Sequence, residues 1–481
     1  MIQSLYSYLP DSMSHTHSFL PFFVLLLVFS TEGALFGYYV AHCQFTSPDG
    51  HDAMYVEQFY FNKVLEGQYN SSVGKVVGYT KNGIKVADKL NGDQGFMKHE
   101  VWKSNLCKRN VPLIYDELQN SVEPYVWLRS VDAADSRHPS MLVCSAYNFY
   151  PKQIKLTWLR DGKQTTTDVT STEELPNGNW LYQIHSFLEY TPTPEEKISC
   201  MVQHASLMKP LIYDWEPSPD SGRDKIAVGA AGLLLGLVFS VAGLIYYKKK
   251  SSVSHEITYV VACFVDGRTE AQFEFDAEEL MYTDFERHEV VYTVPRYFIF
   301  NPSETFQNLN VYNDAQKAKR ACPALLSYWT VEEKNPPEDK DPPASILYPA
   351  DEVELGVENS LICFVNYFYP PDINVTWTKN GHPVSEGVLL SRYFPNKDQT
   401  FHQFSTLVFT PSEGDIYSCT VEHSALETPQ TRIWETEIMK SHESHGLDVF
   451  CAVGLTLGLL GVATGTFLIV KGLENKKQYL S

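Results

Sequence analysis

The chain has 481 residues, a formal net charge of −20, and 44% hydrophobic residues with 13% aromatic. Such a length suggests roughly three or four domains of about 100–150 residues, each with enough apolar material for a core. An acidic surplus without any long basic stretch excludes nucleic acid as a partner, because phosphate binding needs clustered Lys and Arg.

In chain order, the first feature is the short apolar run Phe19–Ser30, followed by the small residues Gly33 and Ala34. It reads as the core of a secretory signal spanning residues 1–33, with Met13 the more natural start and residues 1–12 an extension. Residues 34–122 begin with alternating strand-like stretches such as Tyr55-Val-Glu-Gln-Phe-Tyr-Phe61, with turns expected at Asp49-Gly50 and Glu66-Gly67. A helical pattern follows, in which Met97/Val101 and Trp102/Leu106 recur at helical spacing and the run ends on Cys107. Residues 123–215 form a second domain and 216–225 a connecting peptide. The apolar stretch 226–247 is long enough to span a bilayer, which takes about 20 residues. It contains Gly232/Gly236, a spacing that lets helices approach closely, and is followed by Lys248, Lys249 and Lys250.

After a cytoplasmic stub and junction at 248–254, residues 255–339 repeat the order of strands and helix. Strands run from about Glu256 to Tyr297, and Asn301-Pro-Ser-Glu304 supplies an N-cap, a proline at the first helical position and an acid at the third. Ala318, Cys322, Leu325 and Trp329 line one face of the following helix, which Pro323 is expected to kink. A further domain at 340–435, a connecting peptide at 436–446 and a second span at 447–470 follow. That span carries Gly454/Gly458 and Gly461/Gly465, and Lys471, Lys476 and Lys477 lie in the tail at 471–481.

Of nine cysteines, eight form four similarly spaced pairs: Cys43/Cys107, Cys144/Cys200, Cys263/Cys322 and Cys363/Cys419. Behind a signal sequence they read as structural disulfides, and the absence of any CxxC speaks against metal binding or redox chemistry. Cys451 lies inside the second span. Asn70-Ser-Ser and Asn374-Val-Thr are glycosylation sequons, whereas Asn301-Pro-Ser is blocked by its proline.

The chain also repeats itself. CSAYNFYP at 144–151 matches CFVNYFYP at 363–370, Trp158 matches Trp377, and Cys200-Met-Val-Gln-His204 matches Cys419-Thr-Val-Glu-His423. All these landmarks share one offset, so two copies of one module are present. Strand alternation around the first cysteine, a tryptophan on the next strand and a second cysteine describe a constant-type immunoglobulin sandwich. Tyr417 stands where a tyrosine corner belongs, while Ile198 replaces it in the first copy. Each upstream unit, about four strands with a helix across them, is only half a domain. Two such units joined edge to edge would make an eight-stranded floor under two helices. The expected fold is therefore α+β and all-β, with one such groove platform, two sandwiches and two transmembrane helices.

These motifs make the chain resemble an MHC class II β chain over about residues 20–250, followed by an MHC class II α chain over about 255–481. The resemblance implies a cell-surface or endosomal glycoprotein that binds peptides in a groove for display to T-cell receptors. It also implies a co-receptor, an invariant-chain-like chaperone, and pairing of the α-like and β-like halves. Candidate groove residues follow by position: Asn110 matches the family's asparagine, Arg109 departs from its histidine, and Leu90 before Asn91 departs from its tryptophan. In the α-like helix Asn313 matches, whereas Arg320 and Ser327 do not. These losses point to an alternative, a divergent class II-like peptide-exchange factor or restricted-ligand binder. A generic immunoglobulin adhesion receptor explains the sandwiches and spans but not the strand-plus-helix halves. The histidines are scattered and no triad or metal spacing occurs, so neither enzyme activity nor a cofactor is expected. His204 and His423 sit at equivalent repeat positions, which suggests a packing or hydrogen-bonding role.

Topology raises one further expectation at YYKKKSSVSHEITY, residues 246–259. One span after a cleaved signal, the second half would lie in the cytosol, where its disulfides would not persist and Asn374 could not be glycosylated. That stretch reads as a seam where two neighbouring genes have been merged.

Overall fold

The computed structural model describes residues 35–118, 120–131, 140–190, 196–215, 254–306 and 309–436. The expected signal region, both expected spans, Lys248–Lys250 and Cys451 lie outside them. Among the described residues no helix is long and apolar enough to cross a membrane.

Eight strands build one antiparallel sheet. They are β1 (Phe36–Phe45), β2 (Met54–Phe61), β3 (Val64–Asn70), β4 (Lys75–Gly78), β5 (His255–Phe264), β6 (Thr269–Phe275), β7 (Glu278–Asp284) and β8 (Glu289–Tyr292), and their spatial order is β8-β7-β6-β5-β1-β2-β3-β4. Two four-stranded halves, more than 200 residues apart in sequence, thus meet at the β1–β5 pair, whose register runs from Phe36 opposite Phe264 to Phe45 opposite His255. Joining them removes two sheet edges that would otherwise carry unpaired backbone groups. Period-two alternation separates the faces: Tyr39, Ala41 and Cys43 of β1 belong to the core under the helices, whereas Phe36, Tyr38 and Val40 join the core of the second sandwich.

The helices are α1 (Lys81–Gly92), α2 (Gln94–Leu118), α3 (Pro302–Thr305) and α4 (Val311–Glu332). Thr80 caps α1 by accepting a bond from the Gly83 backbone N–H at 2.8 Å. Gly83 rests directly on β3, since a Cβ there would stand 2.0 Å from the Glu66 carbonyl oxygen. The Asn301 cap and Pro302 are present as the sequence suggests, but they open only the four-residue α3. A second helix, α4, carries Ala318, Cys322, Leu325 and Trp329 on its buried face and runs through Pro323.

Two expectations are corrected here. Val101 and Trp102 face outward, each 52% exposed, and the buried stripe of α2 is instead Phe96, Glu100, Ser104, Cys107, Val111 and Ile114. The apolar residues at helical spacing belonged to the wrong face because a charged residue, Glu100, holds an inward position. Glu66-Gly67 is not a turn: it lies within β3 at a register shift against β2, and the chain reverses at Asn62 and Lys63, both at positive φ. Asp49-Gly50 does fall in the β1–β2 connection, with Gly50 at positive φ.

Each sandwich is a five-stranded sheet against a four-stranded one. All four expected disulfides are formed: Cys43–Cys107 and Cys263–Cys322 tie β1 to α2 and β5 to α4, while Cys144–Cys200 and Cys363–Cys419 cross the sandwiches. The indoles of Trp158 and Trp377 are buried, and their N–H groups donate to Ser186 Oγ at 3.0 Å and Ser405 Oγ at 2.8 Å. His204 and His423 do bond structurally, through Nε2 to the carbonyls of Pro151 at 2.8 Å and Pro370 at 2.9 Å. Tyr417 is buried against Phe409 and Trp434, and Ile198 is buried in the first sandwich. The first sandwich meets the eight-stranded sheet through Trp180 Nε1, which donates to the Glu279 carbonyl at 3.0 Å. Residues 412–415 with 435 and 436 group as a second, separate unit, in which the Thr436 N–H donates to the Asp415 carbonyl at 3.2 Å.

Candidate functional site

The upper face of the sheet lies beneath α2 on one side and α4 on the other. Because strand side chains alternate, β1 offers Tyr39 to this face, β2 Tyr55 and Phe59, and β5 Tyr259 and Val261. Tyr39 and Tyr259 meet edge to face at 6.5 Å across the seam of the half-sheets, and Tyr259 stacks on Phe273 at 4.5 Å. The Tyr259 hydroxyl oxygen is buried with no hydrogen-bond partner. Burial, with the nearby Asp314 carboxylate adding to it, pushes this phenol well above its ordinary value.

A charged group sits in the same region. Glu57 of β2 and Glu100 of α2 are fully buried, and Lys103 approaches both: its Nζ lies 2.7 Å from Glu100 Oε1 and donates to Glu57 Oε1, which also accepts from the Tyr55 hydroxyl. Burial alone would raise Glu57, but the Lys103 ammonium outweighs it and holds this carboxyl below its usual range. Glu100 goes the other way, raised by burial and then by the Glu57 charge. Two carboxylates sharing one ammonium cannot both ionise easily, so their titrations separate. Burial also lowers His99, on the outer flank of α2.

One end of the interhelical space is narrow. Trp329 of α4 packs on Phe59 with ring centroids 5.6 Å apart. The Asn82 Nδ2 group donates to the Glu332 carbonyl at 2.8 Å and to Glu333 Oε1 at 3.0 Å, which links α1 to the end of α4. Beneath lies a cavity of about 30 Å³ lined by Phe59, Glu66, Tyr69, Val86, Leu90 and Trp329. That is room for a water or two, not for a large side chain.

Of the residues singled out from sequence, Leu90 reaches this cavity, buried on the underside of α1. Asn91 does not: its Oδ1 accepts from the Val76 N–H and its Nδ2 donates to the Val76 carbonyl, both at 2.8 Å, so it belongs to the scaffold between α1 and β4. Asn110 is half-buried on α2, and Arg109 beside it is exposed. On α4, Asn313 donates to Asn310 Oδ1 at 2.6 Å and Arg320 donates to the Gln316 carbonyl at 3.3 Å; both are exposed, as is Ser327. Asn313 Nδ2 and Arg320 Nε thus bond within the segment of their own helix and its cap. Asn374 is exposed, with Nδ2 donating to Glu422 Oε2 at 3.1 Å, and Asn70 is half-buried, accepting from the Ser72 N–H at 2.8 Å. Sequence reasoning passed over Glu57, Glu100 and Lys103. The visible signal was an acid in a strand that otherwise alternates aromatic residues, Tyr55 to Phe61, combined with an acid–base pair three apart on α2. Among the described residues no cluster of His, Cys, Asp and Glu could hold a metal ion.

Residues 126–207 and 345–426 each match the immunoglobulin C1-set domain. The matched segments contain the disulfides Cys144–Cys200 and Cys363–Cys419 and the buried Trp158 and Trp377. The chain therefore carries two C1-set domains, a domain type found in MHC class II proteins and compatible with an MHC-like or other immune receptor.

Proposed function

We propose that this chain is an antigen-presenting glycoprotein of MHC class II type, with its β-like and α-like halves joined in one polypeptide and a peptide held between α2 and α4. The observation that carries the reading is the β1–β5 pairing, by which two half-sheets share one floor and each brings a disulfide-anchored helix above it. An extended peptide has backbone donors and acceptors throughout, so a long space walled by helices suits it, with pockets selecting side chains. Leu90 and Asn110 are then ligand-side residues, and T-cell receptor, co-receptor and an invariant-chain-like chaperone are the partners. Asn70 and Asn374 carry glycans, two membrane spans follow the C1-set domains, and the seam at 246–259 is where the β-like and α-like halves meet. No catalysis and no cofactor belong to this reading. Acid elution of the purified full chain should release a mixture of peptides, and a chain that yields none overturns peptide display.

A second reading, a peptide-exchange factor or restricted-ligand binder, draws on the Trp329–Phe59 contact, the small cavity and the commitment of Asn91 to Val76. Faster peptide release from another class II molecule, with no peptides eluted from this chain, selects it. A heterophilic adhesion signal unaffected by changes on α2 and α4 would instead select an adhesion receptor.

A further inference from the structure

Resting on the reading of a peptide-binding groove, we infer that the groove is closed at the end where α1 meets α4, so that every ligand peptide has one terminus there. Asn82, in the first turn of α1, makes the closure. Its Nδ2 donates across the interhelical space to the Glu332 carbonyl at 2.8 Å and to Glu333 Oε1 at 3.0 Å. The link is part of how α4 ends. A helix leaves its last four carbonyls without an intrahelical donor. Those of Trp329, Thr330 and Val331 accept from the N–H groups of Glu333 at 2.9 Å, Asn335 at 2.7 Å and Lys334 at 3.1 Å, with Lys334 and Asn335 at positive φ. The fourth, that of Glu332, takes its donor from the opposite wall. Lys85 Nζ donates to Asn82 Oδ1 at 3.1 Å, which turns the amide nitrogen toward α4.

Side chains from three elements fill the space beside this link. Trp329 reaches from α4 onto Phe59 of the floor strand β2, Val86 and Leu90 come from α1, and what remains between them is the cavity of about 30 Å³. Trp329, Phe59 and Leu90 are buried. An extended chain needs about 10 Å between the surfaces that pack on its two faces, the spacing of stacked sheets. Walls joined through one side-chain amide leave no such passage, and a cavity with room for a water or two admits no ligand side chain beyond it. A peptide lying on the floor therefore stops short of Asn82, and continuing past it means breaking both Asn82 bonds.

The test begins with peptides eluted by acid from the purified full chain and sequenced by mass spectrometry, which should align at one common terminus. A synthetic copy of an eluted peptide, extended at that terminus by an alanine tail, should bind about tenfold more weakly than the unextended copy, the net worth of the two hydrogen bonds it must break. Asn82→Ala should erase that difference and leave the effect of the same tail at the other terminus unchanged. Asn82→Asp is the second variant. An acid in the first turn suits the positive end of α1, so the helix keeps its start, but a carboxylate has no donor for Glu332 and faces Glu333. It should erase the difference as well, and a difference that survives both variants overturns the closure. Sequences ragged at both ends mean that ligands run over the link, which overturns the closure and leaves peptide display standing. A chain that yields no peptide overturns both.

Discussion

Asn91 illustrates what a residue's type cannot disclose. An asparagine on a helix above the sheet has the donor and acceptor that a peptide backbone needs, yet here both are taken by Val76 of β4. The sequence carries the amide but not its direction, because direction depends on where α1 starts, and that is set by Thr80 and by Gly83 lying on β3. Asn91→Ala should lower stability by about 1–2 kcal/mol, the net worth of two hydrogen bonds at a partly exposed site. It should leave ligand affinity unchanged, as denaturant titration and peptide competition would read. An affinity loss without a stability loss would return Asn91 to the groove. Gly83→Ala acts more severely, because a methyl group would overlap the Glu66 carbonyl, whose 2.0 Å clearance no rotamer can relieve. The helix start must lift from β3, at a cost of about 1–3 kcal/mol, and the Asn82 link to Glu332 and Glu333 should loosen with it. A variant that melts like the parent would refute the close approach.

At the level of elements, the sandwiches were legible and the helices less so. The repeated Cys–Trp–Cys landmarks identify the former because a cross-sheet disulfide and a packed indole leave few other arrangements, and the offset that relates Trp158 to Trp377 also relates Ser186 to Ser405, their hydrogen-bond partners. The pattern read on α2 failed for a physical reason. Its inward face mixes Glu100 and Ser104 with Cys107 and Val111, so burial follows the disulfide and the Lys103 ion pairs instead of hydrophobicity. Cys107 is what holds that mixed face down. Its bond to Cys43 closes a 64-residue separation, and removing it by a paired Cys43→Ala, Cys107→Ala change should cost about 4 kcal/mol on chain-entropy grounds. Because the loss falls on the α2–β1 contact, hydrogen exchange should rise first along α2 while the C1-set cores stay protected. Uniform loss of protection would show that the bond stabilises the whole assembly and does not act as a local staple.

Across the whole molecule, buried carboxyls with neutral partners set the response to pH. Burial pushes Glu66 up to about 7, with the Thr80 hydroxyl bond opposing, and pushes Glu274 up to about 8 against the Gln272 amide. Glu278 and Glu279, on β7 where the sheet meets the first sandwich, are likewise raised by burial to about 7. Each has a native value above the ordinary 4.5, so the folded chain holds protons that the unfolded chain has released. Stability from these groups is complete below about 4.5 and is lost as pH climbs through 7 to 8. Histidines act with the opposite sign and in another window. Burial lowers His185 and His402 to about 4, so the unfolded chain binds protons first as pH falls below 6.5, and stability drops there. Between pH 6.5 and 8 the carboxyls act without that opposition, and the melting temperature should fall steadily across this interval. Glu274→Gln removes the ionisation while keeping an amide partner for Gln272, so it should flatten the slope. A melting temperature that stays level or rises from pH 6.5 to 8 in the parent chain would mean these carboxyls are ionised when folded. The charges of Arg392 beside Glu279 and of Lys152 beside Glu278, which already oppose the rise, would then outweigh burial at the junction between sheet and sandwich.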